Sequence, residues 1–314
     1  VNGVLRNIAR NIDSVQFDTL SIRYSMPQWI VDRFVAAYGE KKAEEIFKAF
    51  HNKSTISIRT NLTRCTPDEL RATLEAEGVT VTAVDELNYA FVISGFDYLN
   101  GLQSFRDGLF YVQDISSMLV AQTAAPKKGD YVIDVCAAPG GKSTHIAELL
   151  RGSGHVFARD LTDNKVDMIE ENIDRHGLNN MSAEVWDATV FDADSAGKAD
   201  ILICDLPCSG LGVLGRKKDI RYKMTPESVD ELVVLQRQIL DTVHTYVKPN
   251  GVLVYSTCTI DEAENEDNVR WFIEKHPEFE LDKSFAEGTG MKQILPGEHG
   301  SDGFFIARFI KSKL

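Results

Sequence analysis

From residue 131 onward, short apolar runs alternate with amphipathic stretches, and that alternation limits the chain to few architectures. YVIDVC is apolar almost throughout, as in a parallel strand buried on both faces. GKSTHIAELLR then reads as a helix, HVFARD as a strand, DNKVDMIEENIDRHG as a helix and MSAEVWDA as a strand. ADILICDLP follows as a strand, the stretch from Thr225 to about Val247 as a long helix, and GVLVYSTCT as a strand. EAENEDNVRWFIEKH reads as a helix and GFFIARFIK as a last strand. Repeated βα units predict an α/β fold, a doubly wound, mostly parallel Rossmann-like sheet with helices on both faces. A ligand of such a sheet lies outside the carboxyl ends of the strands.

The preceding residues follow a different pattern. Ser25 and Gln28 have the spacing of a capping box opening the helix MPQWIVDRFVAAY, which Gly39 ends. A second helix runs through Phe50, and STISIRTN alternates like a strand. Thr66, Pro67 and Glu69 start another helix, which Gly78 stops; VTVTAV and YAFVIS read as further strands. DISSMLVAQTAA is a helix leading into the large sheet. The expected division is a helical end or linker over 1–19, a small α+β module over 20–112 and the α/β domain over 113–314. The opening VNGVLRNIAR places Val1, Val4, Leu5 and Ile8 on one helical face, starting in mid-pattern. The sequence is therefore expected to be a piece of a longer chain.

At the first βα junction YVIDVC runs into AAPGGKSTH, a glycine turn that lets backbone approach a ligand closely. A phosphate-cradling G-x-x-x-x-G-K-[ST] loop would end at Gly141-Lys142-Ser143, but its first glycine would fall at Cys136. A G-x-G-x-x-G dinucleotide turn fails too, because Gly140 and Gly141 are adjacent and Thr144 stands near the last position. What remains is a set of acids closing successive strands: Asp134, Asp160, Asp187 and Asp205. One such Asp is best read as a helix cap. Four in successive units suit an adenosine-bearing, positively charged cofactor, with carboxylates accepting ribose hydroxyls, an adenine amino group and an ammonium.

Five cysteines are present, an odd number without the spacing of a secreted framework, so free thiols in a reducing cytoplasm are expected. No Cys-x-x-Cys or His-x-x-x-His pair supports a metal site. Cys136 and Cys204 fit the ordinary role of small buried hydrophobes. Cys208 and Cys258 both follow strand ends facing one crevice, one of them directly after Asp205-Leu206-Pro207. Position alone leaves the two interchangeable.

The formal net charge of -13 argues at first against a phosphate-bearing partner. Charge is unevenly spread, however. Residues 1–67 hold ten Lys/Arg against six Asp/Glu, and Arg216–Lys223 holds five basic residues against one acidic. Taken alone, each patch is best read as a solvated face. No apolar run approaches the roughly 20 residues that a membrane-spanning helix needs.

Several of these segments together resemble the Sun family of RNA cytosine 5-methyltransferases. They are DVCAAPGGKSTH (134–145), DLPCSGLGV (205–213), YSTCTI (255–260), YVQDISSML (111–119), the closing GSDGFFIARF, and NLTR in the small module. The resemblance runs from about residue 20 to the end and is strongest to the bacterial members acting on 16S rRNA, in which a NusB-like helical domain precedes the rest. VNGVLRNIAR resembles the last helix of that domain. Leu206 stands where many members have Ala, and Lys165 where many have Arg.

The resemblance implies a methyltransferase sheet, S-adenosylmethionine as cofactor, and RNA as partner, either 16S rRNA or an assembling small ribosomal subunit. It also implies a cytoplasmic monomer. It assigns Cys258 as the nucleophile that adds to carbon-6 of cytosine and Cys208 as the residue of release. Asp205 is expected at the ring-nitrogen edge of the base, with Lys142 positioning it. Cys136, Ala137, Ala138, Pro139, Gly140, Gly141 and Lys142 would form the cofactor turn, with Asp160, Asp187 and Asp205 beside it. Arg216, Lys217, Lys218 and Arg221 are the residues expected at RNA phosphates. The competing readings are a DNA methyltransferase, whose nucleophile sits in a Pro-Cys pair like Pro207-Cys208, and an RNA-binding assembly factor with a silent methylation site.

Overall fold

The computed structural model describes residues 1–12, 17–52 and 55–313. Helix α1 (Asn2–Asn11) buries none of its residues. Helices α2 (Leu20–Tyr24), α3 (Gln28–Tyr38) and α4 (Glu40–His51) form a small layer around Tyr24, Ile30, Phe34 and Phe47. Strand β1 (Ile56–Thr60), helix α5 (Pro67–Ala76), strands β2 (Thr80–Val84) and β3 (Leu87–Ser94), helix α6 (Gln103–Arg106) and strand β4 (Phe110–Val112) follow. The four strands make an antiparallel sheet in the order β2-β3-β1-β4. The α5 start has the capping box read from Thr66 and Glu69, with Pro67 at its first position.

Helix α7 (Ile115–Ala124) leads to strand β5 (Tyr131–Asp134), helix α8 (Gly141–Leu149), strand β6 (His155–Asp160), helix α9 (Asp163–His176) and strand β7 (Met181–Val185). Strand β8 (Ala199–Asp205), helices α10 (Ile220–Lys223) and α11 (Pro226–Val243), strand β9 (Val247–Thr257) and helix α12 (Glu266–Lys275) come next. Strands β10 (Phe279–Leu281), β11 (Met291–Ile294) and β12 (Phe304–Lys311) complete the chain. The eight-stranded sheet runs β10-β12-β9-β8-β5-β6-β7, with β11 paired to β12. Strands β5 to β9 are parallel neighbours, and β12 is antiparallel to each strand it pairs with. This is the doubly wound, mostly parallel architecture expected from the alternation.

The strand period of two sends alternate residues to opposite faces. Ile133, Leu202 and Cys204 meet α11 and α12 through Ile239, Leu240, Val269 and Phe272. Val132, Ile201 and Ile203 meet α7, α8 and α9 through Ala121, Ile146 and Ile169. The chain builds β5, β6 and β7 outward and then returns to place β8 on the other side of β5. That reversal opens the ligand crevice between the carboxyl ends of β5 and β8.

Three readings are corrected. Ser25 does not open α3; it closes α2 in a left-handed conformation (φ 50°), and α3 starts behind Pro27 with no side-chain cap. Helix α12 starts at Glu266 and not near Glu262, because Glu264 and Asn265 are buried in hydrogen bonds that a helix there would break. The β-strand in STISIRTN begins at Ile56, and Ser54 lies outside the described residues. The short strands β4, β10 and β11 have too few residues to show a pattern. Among the described residues no helix is long and apolar enough to cross a membrane.

Candidate active site

Strand β8 ends at Asp205, and the chain then turns through Leu206-Pro207-Cys208-Ser209. Strand β9, its parallel neighbour, ends at Thr257, so Cys258 leaves the sheet beside the same turn. The two sulfurs lie 3.3 Å apart. Asp205 is fixed from both sides: its Oδ1 accepts from Ser256 Oγ at 2.7 Å, and its Oδ2 from Lys142 Nζ at 2.7 Å. Lys142 projects from the first turn of α8, so one ion pair spans the crevice from β5 to β8. The four residues assigned to chemistry from the sequence are thus brought together.

The turn carrying Cys208 is held from below. Glu264 accepts from Ser209 N and from Gln236 Nε2, both at 2.9 Å, and also from Ser209 Oγ. Gly212 donates to the Cys258 carbonyl and accepts from Gly303 N. A Cβ at Gly212 would stand 2.2 Å from the Gly303 oxygen, so only glycine fits. Leu211, Leu214 and Ile260, from the two thiol-bearing loops, pack into the α2–α4 layer. Tyr38 Oη donates to the Ile260 carbonyl at 2.6 Å.

The thiols differ electrostatically. Cys258 is held below its ordinary value, first because Cys208 donates to it and further by the ammonium groups of Lys142 and Lys217; burial and the Asp205 charge oppose this. Cys208 is held well above its ordinary value by donating to Cys258, by burial, and by the negative charges of Cys258 and Glu264. Burial pulls Lys142 down, but Asp205 outweighs it and keeps the amine raised. Burial likewise pushes up the Cys136 and Cys204 thiols, next to Asp134 and Asp205, leaving both inert.

The glycine turn expected to meet the cofactor takes its shape from backbone contacts. Gly140 takes φ 101°, and its N–H donates to the Ala137 carbonyl at 2.7 Å. Asp134 lies under the turn, accepts from Ser143 Oγ at 2.5 Å, and is pushed up to about 7 by burial, against that hydrogen bond. Asp160 faces inward. Its Oδ2 accepts from Ala138 N at 2.9 Å and its Oδ1 from Leu161 N and Lys165 Nζ, both at 2.8 Å. Three of its roughly four lone-pair sites are therefore taken within the protein. Asp187 is exposed, and one of its oxygens accepts from Thr189 N and Oγ1 in a local turn. The glycine turn and the acids Asp160 and Asp187 beside it could hold a cationic nucleoside in this crevice, with Asp134 buried beneath.

The basic segment divides. Lys217 and Lys218 are exposed. Arg216 bridges Asp114 at 2.9 Å and Asp302 at 2.7 Å. Arg221 is corrected: it is buried, donating to the Ser25 and Leu214 carbonyls, and is unavailable to a phosphate. Sequence reasoning missed Ser256 and Glu264. Ser256 sits two residues before Cys258 on β9, a period-two signal that was available. Glu264 lies in the acidic run EAENED, which reads as solvated surface.

Residues 121–310 match the model of the 16S rRNA methyltransferase RsmB/F family, and residues 26–96 match its RsmF/B-like ferredoxin-like domain. The chain belongs to the RsmB/F family. It is 38% identical over 329 residues to the probable ribosomal RNA small subunit methyltransferase B of Bacillus subtilis, covering 99% of this chain and 73% of the relative. To the ribosomal RNA small subunit methyltransferase B of Shewanella oneidensis it is 32% identical, covering 99% of this chain and 73% of that one. Among solved structures, NSun6 from Pyrococcus horikoshii with SFG, an analogue of S-adenosylmethionine, superposes with a TM-score of 0.83 at 25% identity, over 92% of this chain and 99% of that one. A methyltransferase homolog protein from Pyrococcus horikoshii superposes with a TM-score of 0.80 at 26% identity, over 93% and 97%. The RsmB/F chain is an S-adenosylmethionine-dependent rRNA methyltransferase, the cofactor expected from its sequence.

Proposed function

We propose that this chain methylates carbon-5 of a cytosine in 16S rRNA, with Cys258 as nucleophile, Cys208 as the residue of release and Asp205 at the base. The observation that carries the reading is the thiol pair, 3.3 Å apart, beside the Asp205–Lys142 pair. Carbon-5 of cytosine is a weak nucleophile until a thiolate adds to carbon-6. Cys258, with its lowered pKa, is the better source of thiolate. As its sulfur bonds to carbon-6, electron density moves to the ring nitrogen, where Asp205, held between Ser256 and Lys142, favours protonation. Carbon-5 is then an enamine carbon, and bound S-adenosylmethionine supplies the methyl group.

Release needs a base for the carbon-5 proton. Two of the causes that raise Cys208 are its hydrogen bond to Cys258 and the charge on that sulfur. Both vanish once Cys258 is a thioether. Cys208 then loses its proton to solvent more readily and accepts the one on carbon-5; the carbon–sulfur bond to Cys258 breaks to return its thiolate, and the ring nitrogen gives back the proton it took up beside Asp205. The products are 5-methylcytosine, S-adenosylhomocysteine and one proton. A paired target must first leave its stack, at a few kcal/mol.

The cofactor turn 136–142 with Asp160 and Asp187 is assigned to S-adenosylmethionine, and exposed Lys217 and Lys218 to RNA phosphates. The boundaries 20–112 and 113–314 are proposed as the small module and the catalytic domain. Radiolabelled methyl transfer to 16S rRNA and to DNA, followed by mapping of the labelled nucleotide, tests the reading. Label on carbon-5 of an rRNA cytosine is expected; label on DNA, or on another base atom, overturns it.

A further inference from the structure

We propose that Arg59 and Tyr111, both on the small antiparallel sheet, are positioning residues for the cofactor turn, so that this sheet sets S-adenosylmethionine affinity. The inference rests on the reading that the turn 136–142 lines the cofactor site. Arg59 lies on β1 and is wholly buried. Its Nη1 donates to the Gly141 carbonyl at 3.0 Å and to Gln113 Oε1 at 2.9 Å. Its Nη2 reaches Thr144 Oγ1 at 3.2 Å and Glu148 Oε1 at 2.9 Å. One guanidinium therefore grips the first residue of α8 and two further residues along its length. Tyr111, on β4, places its ring beside Arg59, with the guanidinium 5.5 Å from the ring centre. Its hydroxyl donates to the Pro139 carbonyl at 3.2 Å, and a Cβ on Gly141 would stand 3.1 Å from the ring.

A wholly buried ion pair is a poor source of stability, since an apolar replacement of similar volume is often neutral or better. Arg59 Nε has no hydrogen-bond partner among the described residues, a further cost of burying this side chain. What the planar fork supplies is direction: its donors fix one register of α8 against β1. The second helix flanking the crevice is tied to the same module. Asn61 Nδ2 and Arg64 Nε donate to the His176 carbonyl at the end of α9, at 3.2 and 2.9 Å. Arg175 stacks on Phe105, 4.4 Å from its ring centre. Pro139 and Gly141 thus have their carbonyls pinned by residues on strands of another sheet. A turn that binds through backbone atoms depends on that pinning, because its N–H groups move with its carbonyls.

The experiment compares full chains of wild type, Tyr111→Phe, Arg59→Lys and Asp160→Ala by calorimetric titration with S-adenosylmethionine, steady-state methylation of rRNA, and thermal melting. Tyr111→Phe keeps the ring and removes one donor. Its S-adenosylmethionine Kd and KM should rise about threefold to tenfold, the loss of one hydrogen bond. Its kcat at saturating cofactor, its RNA KM and its melting temperature should stay as in wild type. Arg59→Lys keeps the charge but loses the fork, and should raise the cofactor Kd at least about tenfold. A general structural role would move the melting temperature and leave the cofactor Kd alone. Unchanged cofactor binding in Tyr111→Phe and Arg59→Lys, with binding weakened in Asp160→Ala, overturns the proposal and leaves the cofactor turn assigned. Unchanged binding in all three variants removes the turn assignment itself, and the proposal with it.

Discussion

The thiol pocket and the cofactor turn stand on neighbouring strands of one sheet, yet they are held by different means. In the pocket the fixing contacts run mostly between side chains or from side chain to loop: Ser256 and Lys142 on Asp205, Glu264 on Ser209, Cys208 on Cys258. At the turn they reach backbone atoms: Asp160 takes the Ala138 N–H, Asn172 and Tyr111 take the Pro139 carbonyl, and Arg59 takes the Gly141 carbonyl. Under the proposed function the contrast follows from two tasks. Chemistry on a base needs charges and a nucleophile at fixed places, and a single substituted atom destroys it. Holding a cofactor against a turn needs a backbone path, which several anchors share and which fails by degrees.

The sharpest break of this comparison is at the thiols. Cys258→Ala should lose methyl transfer by at least about a thousandfold, the scale of removing a nucleophile. Cys208→Ala should methylate and then stall as a cofactor-dependent protein–RNA complex that survives denaturing electrophoresis. The double variant should show no such band, and a band confined to Cys258→Ala would falsify the assignment.

Glu264→Gln tests whether the pocket depends on its floor. The change places an amide donor against Ser209 and Gln236, leaving buried groups unpaired at about 1–3 kcal/mol each. A lower melting temperature and a kcat reduced about tenfold to a hundredfold are expected, with S-adenosylmethionine Kd unaltered. A changed cofactor Kd would mean that pocket and turn are one cooperative unit.

Asp134 gives the turn a pH dependence. Its folded pKa of about 7 lies above the ordinary 3.8, so the folded state keeps a proton that the unfolded state has released. This contribution to stability is fully present below about pH 4 and is lost as pH rises through about 7. Urea unfolding across that range should show wild-type stability declining with pH, and Asp134→Asn should flatten the decline. Parallel curves for the two proteins would place the titration elsewhere.

The smallest effect is expected on the surface. Replacing Lys217 and Lys218 by Ala should flatten the salt dependence of RNA binding by roughly 1.4 in log–log slope, at about 0.7 per phosphate contact on a single strand. Cofactor affinity should not respond. An unchanged slope makes the pair a solvated face.

What the sequence disclosed follows the same division. The alternating pattern carried the large sheet and the placement of Asp205, Cys208 and Cys258 at strand ends, because strand direction and period are local properties. The failed P-loop spacing at Cys136 sufficed to set aside a nucleotide-phosphate turn. Arg216 and Arg221 look alike in sequence, five residues apart in one basic run. Only packing separates them, since the carbonyl of Ser25, nearly two hundred residues earlier, claims Arg221. Glu264 and Arg59 were hidden for the same reason: a charged residue reads as exposed until its partners, distant in the chain, are known. Asp160 shows the same limit, since the three neighbouring donors that share its carboxylate, Ala138 N, Leu161 N and Lys165 Nζ, come together only in the fold.

The strand that delivers Cys258 has β8 on one side and β12 on the other, and β12 spans Phe304–Lys311. Translation therefore stages this enzyme. The residues of β5, β6 and β7, with the turn between them, leave the ribosome well before β9 gains its second neighbour. Until Gly303 arrives to meet Gly212, the loop beside Cys258 lacks its clasp, and β9 presents an open edge to any passing strand. Nascent chains stopped short of Gly303 should accordingly take up S-adenosylmethionine yet form no covalent adduct with RNA, which ties the onset of reactivity to the arrival of β12.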